Sequence, residues 1–166
     1  MDPVKSFIYA DDKTIYMRGN DIDVIEGELQ LTVDLAVEWA EAHGFRFSPE
    51  KTVLVHFTRR RPRRRPLKPP IIQMHGKRIR QVKTHKILGL TFDERLTWRP
   101  HMNDIRKRVQ LRMRLLRSLA TTKYGADQDI FLRTFMALLV TTIEFGSSAY
   151  GSAKPRILHQ LQILFN

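Results

Sequence analysis

Apolar and polar residues alternate at the start of the chain, and the spacing then becomes helical. Residues 7–9 (Phe-Ile-Tyr) and 14–17 (Thr-Ile-Tyr-Met) flank two acids, Asp11 and Asp12, which is the pattern of a β-hairpin with carboxylates at its tip. Between residues 21 and 43, apolar residues recur at spacings of three and four, which predicts a helix packed on a sheet. These residues are Ile22, Ile25, Leu29, Val33, Ala36 and Ala40.

Local signals predict the ends of this helix and the strands that follow it. Asp23 with Glu26 resembles a capping box, and Gly44 suits the position just beyond the helix. Residues 45–57 predict a short strand, a Ser-Pro turn and a second strand. Residues 71–82 predict another hairpin, with its turn at residues 75–77 (His-Gly-Lys).

The last part of the chain is predicted to be helical. A break at residues 124–126 is followed by Asp127, which can cap a helix through residues 131–139. A loop is expected over residues 145–152, before a last apolar segment at residues 157–165. The helix before the break starts near residue 98, and its apolar stripe comprises Met102, Ile105, Val109, Met113, Leu116 and Ala120.

Composition excludes several classes of protein. A hydrophobic content of 42% argues against disorder. No apolar run approaches the roughly 20 residues of a membrane span, and the chain opens with no signal peptide. The absence of cysteine excludes disulfides and Cys-type zinc sites and fits a reducing compartment. The six histidines show no metal-binding spacing.

Charge divides the chain into an acidic part and a basic part. Residues 1–50 hold four basic and eleven acidic residues, a net charge of −7, whereas the remaining 25 basic and six acidic residues give +19. Both charge distributions would be explained if a polyanion bound along the basic part and metal ions bound at the acidic tip.

Two basic segments are candidates for contact with nucleic acid. Residues 59–68 hold seven cations and two prolines, which predicts an exposed loop that contacts phosphate, signals nuclear import, or is simply a solvated insertion. Its cations are Arg59, Arg60, Arg61, Arg63, Arg64, Arg65 and Lys68. The helix after Pro100 supplies a second set, Arg106, Lys107, Arg112 and Arg114.

Three motifs, in order, resemble those of a known family. Residues 9–12 (Tyr-Ala-Asp-Asp) resemble the Tyr-x-Asp-Asp box of reverse transcriptases, and residues 44–52 (Gly-Phe-Arg-Phe-Ser-Pro-Glu-Lys-Thr) resemble the next polymerase motif. Residues 86–93 resemble the Phe-Leu-Gly-x-x-x-Asp primer-grip element, with Ile87 in place of its usual aromatic residue. The chain therefore resembles the C-terminal palm and thumb of a non-LTR (LINE-type, jockey-like) retrotransposon reverse transcriptase.

The resemblance implies an α+β fold, in which an incomplete right-hand polymerase palm of antiparallel β-hairpins and one helix precedes an α-helical thumb. The expected divisions are the palm with the Tyr-x-Asp-Asp hairpin at residues 1–57, a basic Pro/Arg loop at 58–70, a primer-grip-like hairpin at 71–93, and a truncated helical thumb at 94–166.

The resemblance also implies RNA-directed DNA synthesis by two-metal nucleotidyl transfer onto a primer 3′-hydroxyl. Asp11 and Asp12 would bind two Mg²⁺ ions, for which Mn²⁺ could substitute. Lys51 would assist the departure of pyrophosphate. The vicinity of the primer and nucleotide would comprise Tyr9, Ala10, Leu88 and Gly89.

The implied partners are an RNA template, a DNA primer, deoxynucleoside triphosphates and the upstream part of the polymerase, with no membrane and a nuclear or cytoplasmic location. In the family a further carboxylate and the fingers precede the Asp-Asp box, so this chain is expected to be an inactive fragment, either a truncated reading frame or a genuine short product. Lys13 also stands where the family has an apolar residue.

Two other interpretations stay open. The first is a noncatalytic nucleic-acid-binding remnant of a polymerase. The second is a ribosomal-type basic RNA-binding protein, which leaves Asp11 and Asp12 unexplained.

Overall fold

The structure is a computed structural model that describes residues 3–59, 68–119 and 127–162. The chain divides into two compact units, Met1–Lys83 and Thr84–Asn166. Two-stranded sheets and several helices confirm the mixed α and β content, whereas the assignment to palm and thumb stays a prediction. The two hairpins of the expected 71–93 segment fall in different units.

The first unit opens with the predicted hairpin. Strand β1 (Lys5–Tyr9) pairs antiparallel with β2 (Asp12–Tyr16), in a register that places Tyr9 opposite Asp12. Because side chains alternate along a strand, Ile15 points to the opposite face from Asp12. Ile15 packs against the core of the unit, so the face that carries Asp12 is directed away from the core.

The first helix, α1 (Ile22–Ala42), has well-defined ends. Its N-cap is Asp21, whose side chain accepts hydrogen bonds from the backbone N–H groups of Asp23 (3.0 Å) and Val24 (3.5 Å). The predicted capping box that starts at Asp23 is therefore wrong by two residues. At the other end Gly44 has φ +76° and occupies the predicted position beyond the helix, where a left-handed residue closes a Schellman motif.

The apolar stripe predicted for α1 is confirmed, because Val33, Ala36 and Ala40 are buried. Val33 packs with three buried residues from the second half of the unit, Ile72, Met74 and Ile79. The strands around them are β3 (Val53–Leu54), β4 (Gln73–Met74), β5 (Lys77–Arg78) and β6 (Arg80–Gln81).

Pairing of these short strands differs in part from the prediction. The β4–β5 hairpin has its turn at His75 and Gly76, as expected. Residues 45–47, however, form no strand, and β3 pairs in parallel with β6 rather than with a preceding strand. Of the elements predicted at residues 45–57, the first strand is therefore wrong, whereas the Ser-Pro turn and the second strand, which forms β3, are present. The hydrogen-bond partner of β3 lies far along the chain.

Side chains of α1 bind the backbone at β4. The carboxylate of Glu26 accepts a hydrogen bond from the backbone N–H of Ile71 at 2.7 Å. The side-chain amide of Gln30 accepts from the N–H of Gln73 at 2.8 Å and donates to its carbonyl oxygen at 3.0 Å. Gln30 therefore pairs with Gln73 as a neighbouring strand would, and it satisfies both backbone groups.

The second unit is a hairpin followed by helices. Its elements are β7 (Thr84–Ile87), β8 (Leu90–Asp93), α2 (Arg99–Leu119), α3 (Gln128–Phe135), a π-helical turn (Met136–Val140), α4 (Thr141–Glu144), α5 (Ser147–Tyr150) and α6 (Pro155–Gln162). The single turn of α5 lies where a continuous loop was predicted. None of the described helices combines the length and apolar character needed to cross a membrane.

The core of the second unit follows the predicted stripe of α2. Met102, Ile105, Val109 and Leu116 are buried, Met113 packs against them, and Ala120 lies outside the described residues. The other members of the buried cluster come from both sides of α2 in sequence: Trp98, Leu139, Tyr150, Ala153 and Ile157.

Candidate metal site and nucleic-acid interface

The two acids lie at the tip of the first hairpin, as predicted. Ala10 and Asp11 form the two-residue turn, and Asp12 is the first residue of β2. Ala10 has φ +53° and Asp11 does not have a positive φ, which is the φ pattern of a type II′ turn. Both carboxylates are exposed. Tyr9 shares a face with Asp12 through their pairing and is 63% exposed.

Asp11 and Asp12 provide oxygen donors of the kind that Mg²⁺ prefers. Within residues 3–59, 68–119 and 127–162, no three acidic or histidine side chains come together as a possible metal site. The described residues therefore fit part of a two-metal site, and the role of these acids stays a prediction.

Lys51 lies in a compact turn of the first unit. The hydroxyl of Ser48 accepts from the Lys51 backbone N–H at 3.4 Å and donates to Glu50 at 3.1 Å. Glu50 also accepts from Lys77 at 2.7 Å. The hydrogen bond from Lys77, with smaller contributions from the backbone N–H of Glu50 and the Ser48 hydroxyl, lowers the pKa of Glu50 to about 2. Glu50 therefore pairs with Lys77 in the described part of the chain, and the exposed Lys51 forms no ion pair there.

Leu88 and Gly89 form the two-residue turn between β7 and β8. Their φ values are +47° and +87°, the pattern of a type I′ turn, which favours glycine at the second position. A Cβ atom on Gly89 would lie 2.8 Å from Cε1 of Phe145. The close approach that glycine permits here is made by Phe145 of the same chain. Contact with a primer stays a prediction.

Asp93 is a residue whose role sequence reasoning missed. Its carboxylate is buried and accepts from the backbone N–H groups of Thr97 (2.8 Å) and Trp98 (2.9 Å), and from that of Arg95 at 3.3 Å. It thereby holds the turn in which Leu96 and Trp98 have positive φ. An acid at a strand end with Thr four residues later was the available signal.

His101 is buried beside Trp98 and Tyr150. Its Nδ1 accepts from the backbone N–H of Thr91 at 3.3 Å, which requires that nitrogen to be unprotonated. Burial lowers the pKa of His101, and the charge of Arg108 lowers it further. The folded unit therefore holds a neutral imidazole at this position.

The cations of α2 divide into two groups. Arg106, Lys107 and Arg114 are exposed, as a contact with phosphate requires. Arg112 is half-buried, and its guanidinium donates to the carbonyl oxygen of Leu138 at 2.6 Å and to the hydroxyl of Thr142. Arg112 is therefore used within the unit, where it holds α2 to the π-helical turn.

The basic segment at residues 59–68 is described only at its ends, where Arg59 and Lys68 are exposed. Arg60, Arg61, Arg63, Arg64 and Arg65 lie outside the described residues. Their contact with phosphate stays a prediction.

Comparison with known proteins finds relatives over nearly the whole chain. It is 28% identical over 171 aligned positions to "Probable RNA-directed DNA polymerase from transposon BS" of Drosophila melanogaster, covering 99% of this chain. It is 25% identical over 156 residues, 94% of the chain, to "RNA-directed DNA polymerase from mobile element jockey" of the same species. The chain is similar to non-LTR retrotransposon polymerases. The predicted resemblance is confirmed.

A third relative comes from another organism. The chain is 25% identical over 146 residues, 86% of its length, to "Retrovirus-related Pol polyprotein from type-1 retrotransposable element R1" of Bradysia coprophila. The matched stretch covers 18%, 16% and 14% of the BS, jockey and R1 relatives, so the chain spans about one sixth of their length. No family model matches the chain, and no solved structure matches it.

Proposed function

We propose that the chain is the part of an RNA-directed DNA polymerase that carries the Asp-Asp hairpin and the basic helical segment after it. The observation that carries the proposal is the exposed turn at Asp11 and Asp12, in a chain that resembles such polymerases from end to end. The reaction would be transfer of a deoxynucleotide to a primer 3′-hydroxyl on an RNA template.

In this proposal the hairpin presents Asp11 and Asp12 on its exposed tip as ligands for divalent ions. A bound Mg²⁺ ion supplies positive charge that stabilises the attacking and leaving oxygens of a phosphoryl transfer. The chain's own contribution is to hold the carboxylates on a short paired turn, with Tyr9 on the same face as Asp12. Lys51 would offer a cation to the departing pyrophosphate.

The exposed cations of α2 would bind the backbone of the template–primer duplex. Arg106, Lys107 and Arg114 are exposed on a helix whose buried stripe forms the core of the unit. Contacts of this kind position a duplex without reading its sequence. Because each neutralised phosphate releases counterions, affinity should fall steeply with salt.

Binding and catalysis can be tested separately. In a salt titration of duplex binding by the 166-residue chain, replacing Arg106, Lys107 and Arg114 by Gln should make the log–log slope shallower by roughly one unit per lost contact. A control replaces three exposed cations elsewhere in the same unit, Arg133, Lys154 and Arg156, and should keep the original slope. Equal slopes for the two triple variants would contradict the α2 assignment.

Catalysis requires a complete polymerase, such as the BS polymerase with its matched stretch replaced by this chain. Asp11→Asn should reduce primer extension by a thousandfold or more, about 4 kcal/mol of transition-state stabilisation. Asp129→Asn, which changes an exposed acid of α3, is the control and should retain activity. Near-normal extension by Asp11→Asn would exclude its role as a metal ligand.

The second candidate function is a noncatalytic polymerase remnant that binds nucleic acid. It is favoured by the two hairpin acids, which have no third acidic or histidine partner among the described residues. We expect the isolated chain to bind duplex without extending a primer in Mg²⁺ or Mn²⁺. Templated incorporation by the isolated chain would reject that expectation.

A further inference from the structure

Helix α1 is apolar on two opposite sides. One side forms the core of the first unit through Val33 and Ala40. On the other side, four large apolar residues are between 42% and 57% exposed. We call them the outer stripe: Val24, Leu31, Leu35 and Trp39.

The outer stripe is continuous along the helix. At 3.6 residues per turn its four members fall within an arc of about 80°, roughly opposite Val33, and they extend about 22 Å along the axis. The indole of Trp39 stacks on His43, with ring centroids 4.5 Å apart, which fixes its orientation at the end of the stripe. A helix that is apolar on both sides is typical of a position between two packed layers.

Charge on and beside the outer stripe narrows the choice of partner. Glu28 lies within the same arc as the four apolar residues, and Glu38 borders it; both are exposed. A second copy packed stripe to stripe would bring these carboxylates together, and like charges destabilise such a contact. The surface is better matched by a helix that carries both apolar and basic side chains.

We propose that the outer stripe is the docking surface for a helix of the same polymerase polypeptide, from outside the region that matches this chain. That helix would present an apolar ridge of about four turns with a basic residue opposite Glu28. The relatives support this source, because their matched stretch is 14–18% of a much longer polypeptide. The inference rests on the proposed function, namely that the chain is part of a longer polymerase polypeptide. It requires neither metal binding by Asp11 and Asp12 nor polymerase activity.

Cysteine labelling can test the docking directly, because the chain has no cysteine of its own. Leu35→Cys reports on the outer stripe. Leu115→Cys is the matched control, since Leu35 and Leu115 are exposed helix positions with exposures of 57% and 56%. Each variant is made in the isolated chain and in the BS polymerase whose matched stretch is replaced by this chain. Maleimide labelling rates are then read peptide by peptide by mass spectrometry.

In the isolated chain, both cysteines should react at similar rates that do not depend on protein concentration. In the long polypeptide, Leu35→Cys should react at least tenfold more slowly, while Leu115→Cys should change less than twofold. Equal rates for Leu35→Cys in the two proteins would overturn the proposal, and so would equal protection of Leu115→Cys. Protection of Leu35→Cys that grows with the concentration of the isolated chain would instead assign the stripe to a second copy.

Discussion

Gly89 offers a test of which group approaches the β7–β8 turn. In Gly89→Ala, the residue must keep its φ of +87°, at a cost of about 1–2 kcal/mol for a side chain in the left-handed region. The new Cβ would also lie 2.8 Å from the ring of Phe145, which is 54% exposed, and shifting that ring off its rotamer adds about 0.5–1.5 kcal/mol. The expected loss of unfolding free energy is therefore about 1.5–3.5 kcal/mol.

A double-mutant cycle separates these two costs. In a Phe145→Ala background the overlap is removed, so Gly89→Ala should cost only the conformational part, and the coupling should be about 0.5–1.5 kcal/mol. Gly76→Ala is the control, because Gly76 has φ +72° at the second position of another two-residue turn, with nothing within 4 Å of its Cβ position.

The assay is urea unfolding followed by tryptophan fluorescence. The two tryptophans, Trp39 and Trp98, lie in different units, so a Trp39→Phe background makes Trp98 the reporter of the second unit. Gly76→Ala is followed with Trp39 in a Trp98→Phe background. A coupling below about 0.5 kcal/mol between Gly89→Ala and Phe145→Ala would refute the proposed overlap and leave the space beside Gly89 open to another molecule.

Three further predictions concern the second unit. Asp93→Ala removes the acceptor of two short backbone hydrogen bonds, and at about 1.5–3 kcal/mol per bond to a charged group it should lower the unfolding free energy measured in urea by about 3–6 kcal/mol. Arg112→Met should lower the same free energy by about 1–3 kcal/mol, whereas Arg114→Met should change it by less than about 0.5 kcal/mol and should weaken salt-dependent duplex binding. His101 is held neutral with a pKa below its ordinary value of 6.5, so below that pH the unfolded state binds more protons. The contribution of His101 to the unfolding free energy should therefore be fully present above about pH 6.5 and be lost on acidification. Unfolding measured at pH 7.5 and 5.5 should show a fall in stability that is smaller in His101→Gln.

Local patterns were sufficient to predict several elements. The hairpin at Asp11 and the stripes of α1 and α2 depend on spacing within one segment, and their positions in the structure agree with that spacing. The outer stripe, in contrast, was not predicted. The buried stripe alone is sufficient to predict an amphipathic helix, so the apolar residues on its opposite side added no signal for the fold.

Contacts between distant segments could not be predicted from the pattern. The parallel pairing of β3 with β6 joins two segments that were each predicted as strands, but a strand pattern does not specify which distant strand it pairs with. Arg112 was grouped with its exposed basic neighbours, and its hydrogen bonds to Leu138 and Thr142 depend on a segment about 26 to 30 residues further along the chain. The residue that lies against Gly89 is likewise distant in sequence, since it is Phe145.

The bonds from Glu26 and Gln30 to Ile71 and Gln73 have a consequence for how the sequence can diverge. The chain is paired at β3 before the basic segment at residues 59–68 and is held again by α1 directly after it. Since both anchors lie outside that segment, insertions, deletions or changes of charge within it leave the backbone of β4 satisfied, and loop length itself adds little cost. Changes in that stretch therefore leave in place the bonds that hold α1 to β4 in the unit that carries the Asp-Asp turn.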